Sequence, residues 1–400
     1  MNWTNKLKPL VIISLSTIIS FLIVEYSYRY IKHEGSFPKG NYKNRTMLFE
    51  VGDNFQNFDG YFKYFPNQEI RSTTLYTREK PTSIDDIQIE YDYIIRTNNS
   101  GLVMKRDVIP NEHAIFVIGD SFTEGQGASP WFYELEDTYN GPQIINLGIL
   151  GTGPKQWENL SSSTTQQHGL DVVATVVNII PEDMYRNVWT FKERELNCLH
   201  HASCDYVFGF QGYNFVSKES NDDIKHSVLN SIINAPNISS FSNWKLRNIE
   251  DFLKQSHVLL DLSLFLKKYS PEVEAPYSPE VAAKVADNEA AILSLREAVS
   301  GNFYVNVVSQ KSINSNNYEY NKISKELINF LYENQIKYKW CDIPVDGFHK
   351  IDGHPNANGY KILLECTRDA LSKLETSMRW RMFRSYYSKL SYIKLQYLCR

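Results

Sequence analysis

The chain lacks most of the features that settle a protein's class at a glance. Its 400 residues hold 42 Lys and Arg against 46 Asp and Glu, a formal charge of −4, so the basic surplus of a dedicated nucleic-acid binder is missing. Cysteine is scarce, with five residues, an odd number that leaves at least one without a partner. Cys198 and Cys204 bracket His200 and His201, and in a chain read as exported this spacing points to a disulfide closing a short loop rather than to a zinc site. No small-x-small cleavage site follows the uncharged apolar run at residues 10–24, because Val24-Glu25-Tyr26-Ser27-Tyr28 is bulky. A cleaved signal peptide is therefore disfavoured.

The apolar run is shorter than the roughly 20 residues of a membrane span, but Trp3, Tyr26, Tyr28 and Tyr30 stand where interfacial aromatics would extend it. With Lys6 and Lys8 ahead of it, residues 1–31 read as an uncleaved transmembrane signal anchor with the rest of the chain extracytoplasmic. Arg29, Lys32, Lys39, Lys43 and Arg45 on the far side blunt that orientation signal. Residues 35–85 have no sustained helical period and are expected to be an irregular approach. Residues 87–97 alternate, with Ile89, Tyr91, Tyr93 and Ile95 on one face, as a half-buried edge strand should.

The chemistry begins at residues 113–119, an apolar run that stops at Gly119-Asp120-Ser121. Such a run reads as a strand buried on both faces, and open α/β sheets carry ligands at the carboxyl ends of their strands. Two further strands, at 143–147 and 171–180, end in polar turns. The first opens into Asn146-Leu147-Gly148-Ile149-Leu150-Gly151-Thr152-Gly153-Pro154 and a helix at 155–167; the second stops at Pro181-Glu182-Asp183-Met184-Tyr185-Arg186-Asn187. Residues 193–311 read as an insertion with helices at 246–269 and 279–298, followed by strands at 303–308 and 336–341 around a helix at 318–334. Beyond the last strand one loop holds two Asp/His pairs, Asp346/His349 and Asp352/His354, just before a helix at 361–374. An acid beside a histidine fixes its tautomer and stabilises the imidazolium formed when it takes a serine proton. The tail, 376–400, is basic and aromatic, suited to an anionic membrane surface or a docking partner.

Gly119-Asp120-Ser121-Phe122, Asn146-Leu147-Gly148 and Asp352-Gly353-His354-Pro355-Asn356, in this order and strand context, resemble the SGNH/GDSL hydrolase superfamily, over roughly residues 87–375. Thr97-Asn98-Asn99-Ser100-Gly101 and the N-terminal apolar run make the chain similar to membrane-anchored, polysaccharide-associated members. The resemblance implies a three-layer α/β/α sandwich with a mainly parallel, flavodoxin-like sheet at residues 113–375, preceded by the N-terminal helix and the 32–112 approach segment. It implies Ser121 as nucleophile, His354 as base and Asp352 as its orienter, with Asp346/His349 as the alternative pair. Gly148 and the Ser121 N–H are the implied oxyanion donors. The family's Asn-Asp after the third strand is replaced by Glu182-Asp183; Asn178 is taken as the substitute third donor, with Asn187 also near. The implied activity is deacylation of an acylated extracytoplasmic glycan through an acyl-serine. The alternatives are O-acyl transfer to a cell-surface polysaccharide, or a catalytically impaired glycan-binding or assembly protein. This chemistry requires no metal or organic cofactor.

Overall fold

Residues 42–96, where an irregular approach was expected up to residue 85, form β-structure instead. Strands β1 (Tyr42–Phe49), β2 (Phe55–Phe58), β3 (Tyr61–Tyr64), β4 (Glu69–Arg78) and β5 (Ile87–Arg96) make an antiparallel sheet in the order β1-β4-β5 and a β2-β3 hairpin. The two-residue alternation that marks a half-buried strand is visible only in β5. In the central strand β4 almost every interior position is buried, and in β3 all four residues are, so neither advertises a face in the sequence. Gly60 turns the hairpin with φ +74°.

These observations come from a computed structural model that describes residues 20, 42–78, 81–200, 219–234, 278–310 and 318–375. The expected anchor (all but residue 20 of 1–31), the helix expected at 246–269, the Cys198–Cys204 pairing and the tail at 376–400 lie outside the described residues. Among the described residues no helix is long and apolar enough to cross a membrane.

The five strands expected after residue 112 become β6 (His113–Gly119), β7 (Gln143–Gly148), β8 (Asp171–Ile179), β9 (Phe303–Ser309) and β10 (Lys337–Asp342). They pair in parallel in the order β10-β9-β8-β6-β7. Counted along this sheet alone, that is the 2-1-3-4-5 order of flavodoxin-like folds. Parallel strands need crossovers, supplied here by α1 (Ser121–Glu124) with α2 (Phe132–Thr138), α3 (Pro154–His168), α6 (Pro279–Ala298) and α7 (Tyr318–Glu333). Between β8 and α6 come α4 (Glu193–His200) and α5 (Asn221–Asn234), and the helix at residues 357–375 (α8) follows β10. The result is an α/β fold whose parallel sheet is flanked by helices. Ile115, Phe116, Val117 and Ile118 of β6 are fully buried, as a strand in the middle of a covered sheet must be.

Chain direction reverses across the sheet between β6 and β8, because β6 leads outward to β7 and β8 leads the other way. The crevice outside the carboxyl ends of strands flanking such a switch is where open α/β sheets hold ligands. Cys341 of β10 and Cys366 of α8 form a disulfide that ties the edge strand to the last helix, a pairing the cysteine spacing did not suggest.

Candidate active site

Four short segments converge on the switch point. The first is the turn after β6. Gly119 is required there, since a Cβ would strike the Thr123 hydroxyl and the Asn178 carbonyl. Asp120 caps α1, its carboxylate accepting the Phe122 N–H at 2.9 Å. Gly125 ends the turn in the left-handed region at φ +100°, and both Gly125 and Gln126 donate their N–H to the Ser121 carbonyl. Ser121 is thereby fixed at the first position of α1, where its own N–H has no intrahelical partner.

The second segment is the loop at 346–356. Phe348 and Pro355 form an antiparallel bridge, His349 N–H donates to the His354 carbonyl at 3.0 Å, and Asn356 caps α8 through Oδ1 while its Nδ2 donates to the carbonyls of Asp346 and Phe348. This small hairpin presents His354. Its Nε2 is 2.9 Å from Ser121 Oγ, and its Nδ1 is 2.6 Å from Asp352 Oδ1. The other oxygen of Asp352 accepts the Tyr91 hydroxyl at 2.8 Å and lies 3.1 Å from Arg45 Nη2. Burial drives the Asp352 pKa upward, but the charge and hydrogen bond of His354, with Arg45 and Tyr91, outweigh it and hold the carboxyl well below the usual carboxylate range.

The alternative pair is not assembled. His349 turns away, with Nε2 2.7 Å from the Gly127 carbonyl and its ring against Tyr91, and burial lowers its pKa. Asp346 is exposed and contributes its backbone carbonyl to Asn356.

The third segment, the glycine-rich loop after β7, corrects the expectation for Gly148. Its single N–H is committed to Asn146 Oδ1 at 2.8 Å, and a Cβ there would press on Thr123 and the Glu124 N–H. Gly148 is thus a packing position for α1 and has no donor to offer. Three residues on, Gly151 is exposed with φ +69°, its carbonyl accepts the Trp189 indole N–H at 2.9 Å, and its N–H has no partner among the described residues. The loop is held from beneath by Glu124, whose Oε2 accepts the Leu150 N–H at 2.6 Å and whose Oε1 accepts the Tyr64 hydroxyl at 3.0 Å. Burial pushes the Glu124 carboxyl up to about 8, against these two bonds.

The fourth segment follows β8. Asn178 is not delivered to the serine: its Oδ1 accepts from Asn306 at 2.8 Å and faces Thr367 of α8 at 3.4 Å, so it belongs to a buried polar set between the sheet and that helix. A strand side chain that leaves on the helix-covered face cannot also line the crevice. Asn187 is exposed, and no hydrogen bond connects it with Ser121 among the described residues. What the segment does bring is Arg186. Its Nη1 lies 3.0 Å from Asp120 Oδ2 and 2.9 Å from Asp183 Oδ1, and donates to the Thr152 carbonyl at 2.8 Å. Asp120 Oδ2 is also 3.4 Å from Ser121 Oγ, so the guanidinium and the hydroxyl are held against the same carboxylate oxygen. Burial raises the Asp183 pKa well above its ordinary value, opposed by Arg186. Polar residues at the end of β8 were the signal for this cluster. The alternation of residues 87–97 put Tyr91 on a buried face, but no sequence signal tied Tyr91, Arg45 or Glu124 to the site.

Chemically, the set contains a hydroxyl, an imidazole in contact with it, a carboxylate fixing the far ring nitrogen, and N–H groups at a turn: the parts of an acyl-transfer site. Among the described residues no group of three or more His, Cys, Asp or Glu side chains suits a metal ion.

No protein-family model matches the chain, and no curated protein matches it. Among solved structures, a crystal structure of esterase B from Lactobacillus rhamnosis (HN001) is similar at 9% identity, covering 92% of this chain and 97% of that one, with a TM-score of 0.26. The same esterase B inhibited by a C4-C4 SN3 tributyrin phosphonate gives the same coverage, identity and TM-score, and a C6-C4 SN3 inhibited form gives a TM-score of 0.22. Likeness at that level carries no weight for fold or activity, which rest here on strand order and site geometry.

Proposed function

We propose that this chain is an SGNH/GDSL-type serine esterase that removes acyl groups from an extracytoplasmic glycan through an acyl-serine intermediate. The observation that supports it best is the unbroken relay from Ser121 Oγ to His354 Nε2 at 2.9 Å and from His354 Nδ1 to Asp352 at 2.6 Å, located at the sheet's switch point.

In this reading Asp352 holds the His354 Nδ1–H, which leaves Nε2 free to accept the Ser121 proton as Oγ attacks the ester carbonyl. The Ser121 and Gly151 N–H groups donate to the developing oxyanion, in place of the Gly148 donor that the motif implied. His354 then returns the proton to the leaving alcohol, and water, activated by the same imidazole, releases the acid. If a sugar hydroxyl replaces water in the second half, the identical machinery performs O-acyl transfer. Residues 1–31 serve as the anchor that keeps the site beside a cell-surface polysaccharide.

The test is product analysis with the full-length protein in detergent. Incubated with an O-acetylated polysaccharide, the wild type is expected to release acetate, and Ser121→Ala is expected to release none. Acetyl groups moved onto an added oligosaccharide without free acetate would replace hydrolysis by transfer. Neither product from a folded wild type would overturn both and favour the non-catalytic scaffold.

A further inference from the structure

The antiparallel sheet at residues 42–96 does more than precede the α/β domain. Two of its strands reach one carboxylate. Arg45 of β1 and Tyr91 of β5 both contact Asp352, and the cross-strand partner of Arg45, Tyr76 of β4, has its hydroxyl pKa raised by burial and by the charge of Asp352. The hydrogen-bond directions around Tyr91 are fixed by chemistry. Gln126 Nε2 donates to the Tyr91 oxygen at 2.6 Å and Arg45 Nη2 at 3.1 Å, and neither group can accept, so the phenol's only proton goes to Asp352. Gln126 in turn donates its backbone N–H to the Ser121 carbonyl. A closed circuit results, Ser121 to His354 to Asp352 to Tyr91 to Gln126 and back to the serine's own turn, with Arg45 bridging Asp352 and Tyr91.

We infer that Arg45 and Tyr91 are positioning residues that set how strongly Asp352 stabilises the His354 imidazolium, so that the accessory sheet is an integral part of the catalytic unit. The inference rests on the esterase reading above. A carboxylate shared between an imidazolium and a guanidinium gives less to each, so Arg45 keeps the base weaker than an unshared Asp352 would make it. Because β1 begins at Tyr42, the first described strand after the expected anchor at residues 1–31 is also the one that carries Arg45 to the triad's acid. The charged and titratable groups around the pair are Arg45, Tyr76, Tyr91, Glu90, His349 and Asp120. Of these Glu90 accepts the Ile351 N–H at 2.8 Å, and Arg45 is the one permanent cation at Asp352 among the described residues.

The experiment uses full-length wild type, Arg45→Gln, Arg45→Lys and Tyr91→Phe, with fluorophosphonate labelling and the pH profile of kcat/KM on a short-chain p-nitrophenyl ester. Expected is retained labelling, with the acid limb of the Arg45→Gln profile displaced to higher pH by about half to one pH unit. Tyr91→Phe moves the same way by less, and Arg45→Lys restores the wild-type limb. Labelling intact with an unmoved limb in both Arg45→Gln and Tyr91→Phe overturns the inference alone. A folded wild type that takes no label overturns the esterase reading and this inference with it.

Discussion

Glu124→Gln is the substitution whose consequence can be worked furthest from the structure. Glu124 is 1% exposed, and among the described residues its two oxygens accept hydrogen bonds from the Tyr64 hydroxyl and the Leu150 N–H alone, with Asp120 adding repulsion. Burial therefore dominates and pushes its pKa up to about 8 from an ordinary 4.5. The native state keeps a proton that the unfolded chain gives up between pH 4.5 and 8, so stability is fullest below 4.5 and falls as pH rises through that window. Each pH unit costs about 1.4 kcal/mol, which puts the upper limit at pH 7 on the order of 3 kcal/mol. Glutamine keeps the shape and one acceptor for Leu150, and its amide can donate to the Tyr64 oxygen, while it never ionises. Urea unfolding of full-length wild type and Glu124→Gln at pH 5, 6, 7 and 8 should give nearly equal stabilities at pH 5 and a growing advantage for the variant toward pH 8. Parallel curves across the range would refute the reasoning, because they would mean that Glu124 is ionised in the folded protein like any surface carboxylate.

Three other outcomes are expected. Asp352→Asn should fold but lose about three to four orders of magnitude in kcat, since an amide cannot stabilise the imidazolium; esterase assays of the folded variant check this. His349→Gln should retain fluorophosphonate labelling within a few-fold while His354→Ala abolishes it, a comparison read by gel fluorescence. Gly148→Ala should lower stability by about 1–3 kcal/mol in denaturant titration, because the new methyl meets α1 backbone that cannot move without shifting Ser121.

The parts of this protein legible in its sequence are those encoded by contiguous residues. β6 and the Gly119-Asp120-Ser121 turn sit within nine residues, and Asp352 and His354 within three, so apolar continuity and local chemistry were enough to propose them. Four of the five parallel strands, β6 to β9, were visible because burial leaves Val-, Ile- and Phe-rich runs, whereas β10 at the sheet edge has one buried residue, Cys341. The same burial hid β3 and β4, which lacked both alternation and long apolar runs. Gly148 was misread because availability of a backbone N–H depends on a side chain, Asn146, that folds back onto it. Tyr91 lies 261 residues from Asp352 in the chain and Arg45 farther still, and no local pattern announces a contact made only when the antiparallel sheet meets the loop after β10.

In the proposed esterase, Ser121 is the activated nucleophile and His354, 2.9 Å from its Oγ, the base. The most direct test of this assignment is fluorophosphonate labelling of the full-length protein, with the modified peptide identified by mass spectrometry and Ser121→Ala and His354→Ala run beside it. Label on Ser121 in the wild type, lost in both variants at unchanged circular dichroism, is the predicted result. A folded wild type that takes no label, or one labelled equally well without His354, would contradict it.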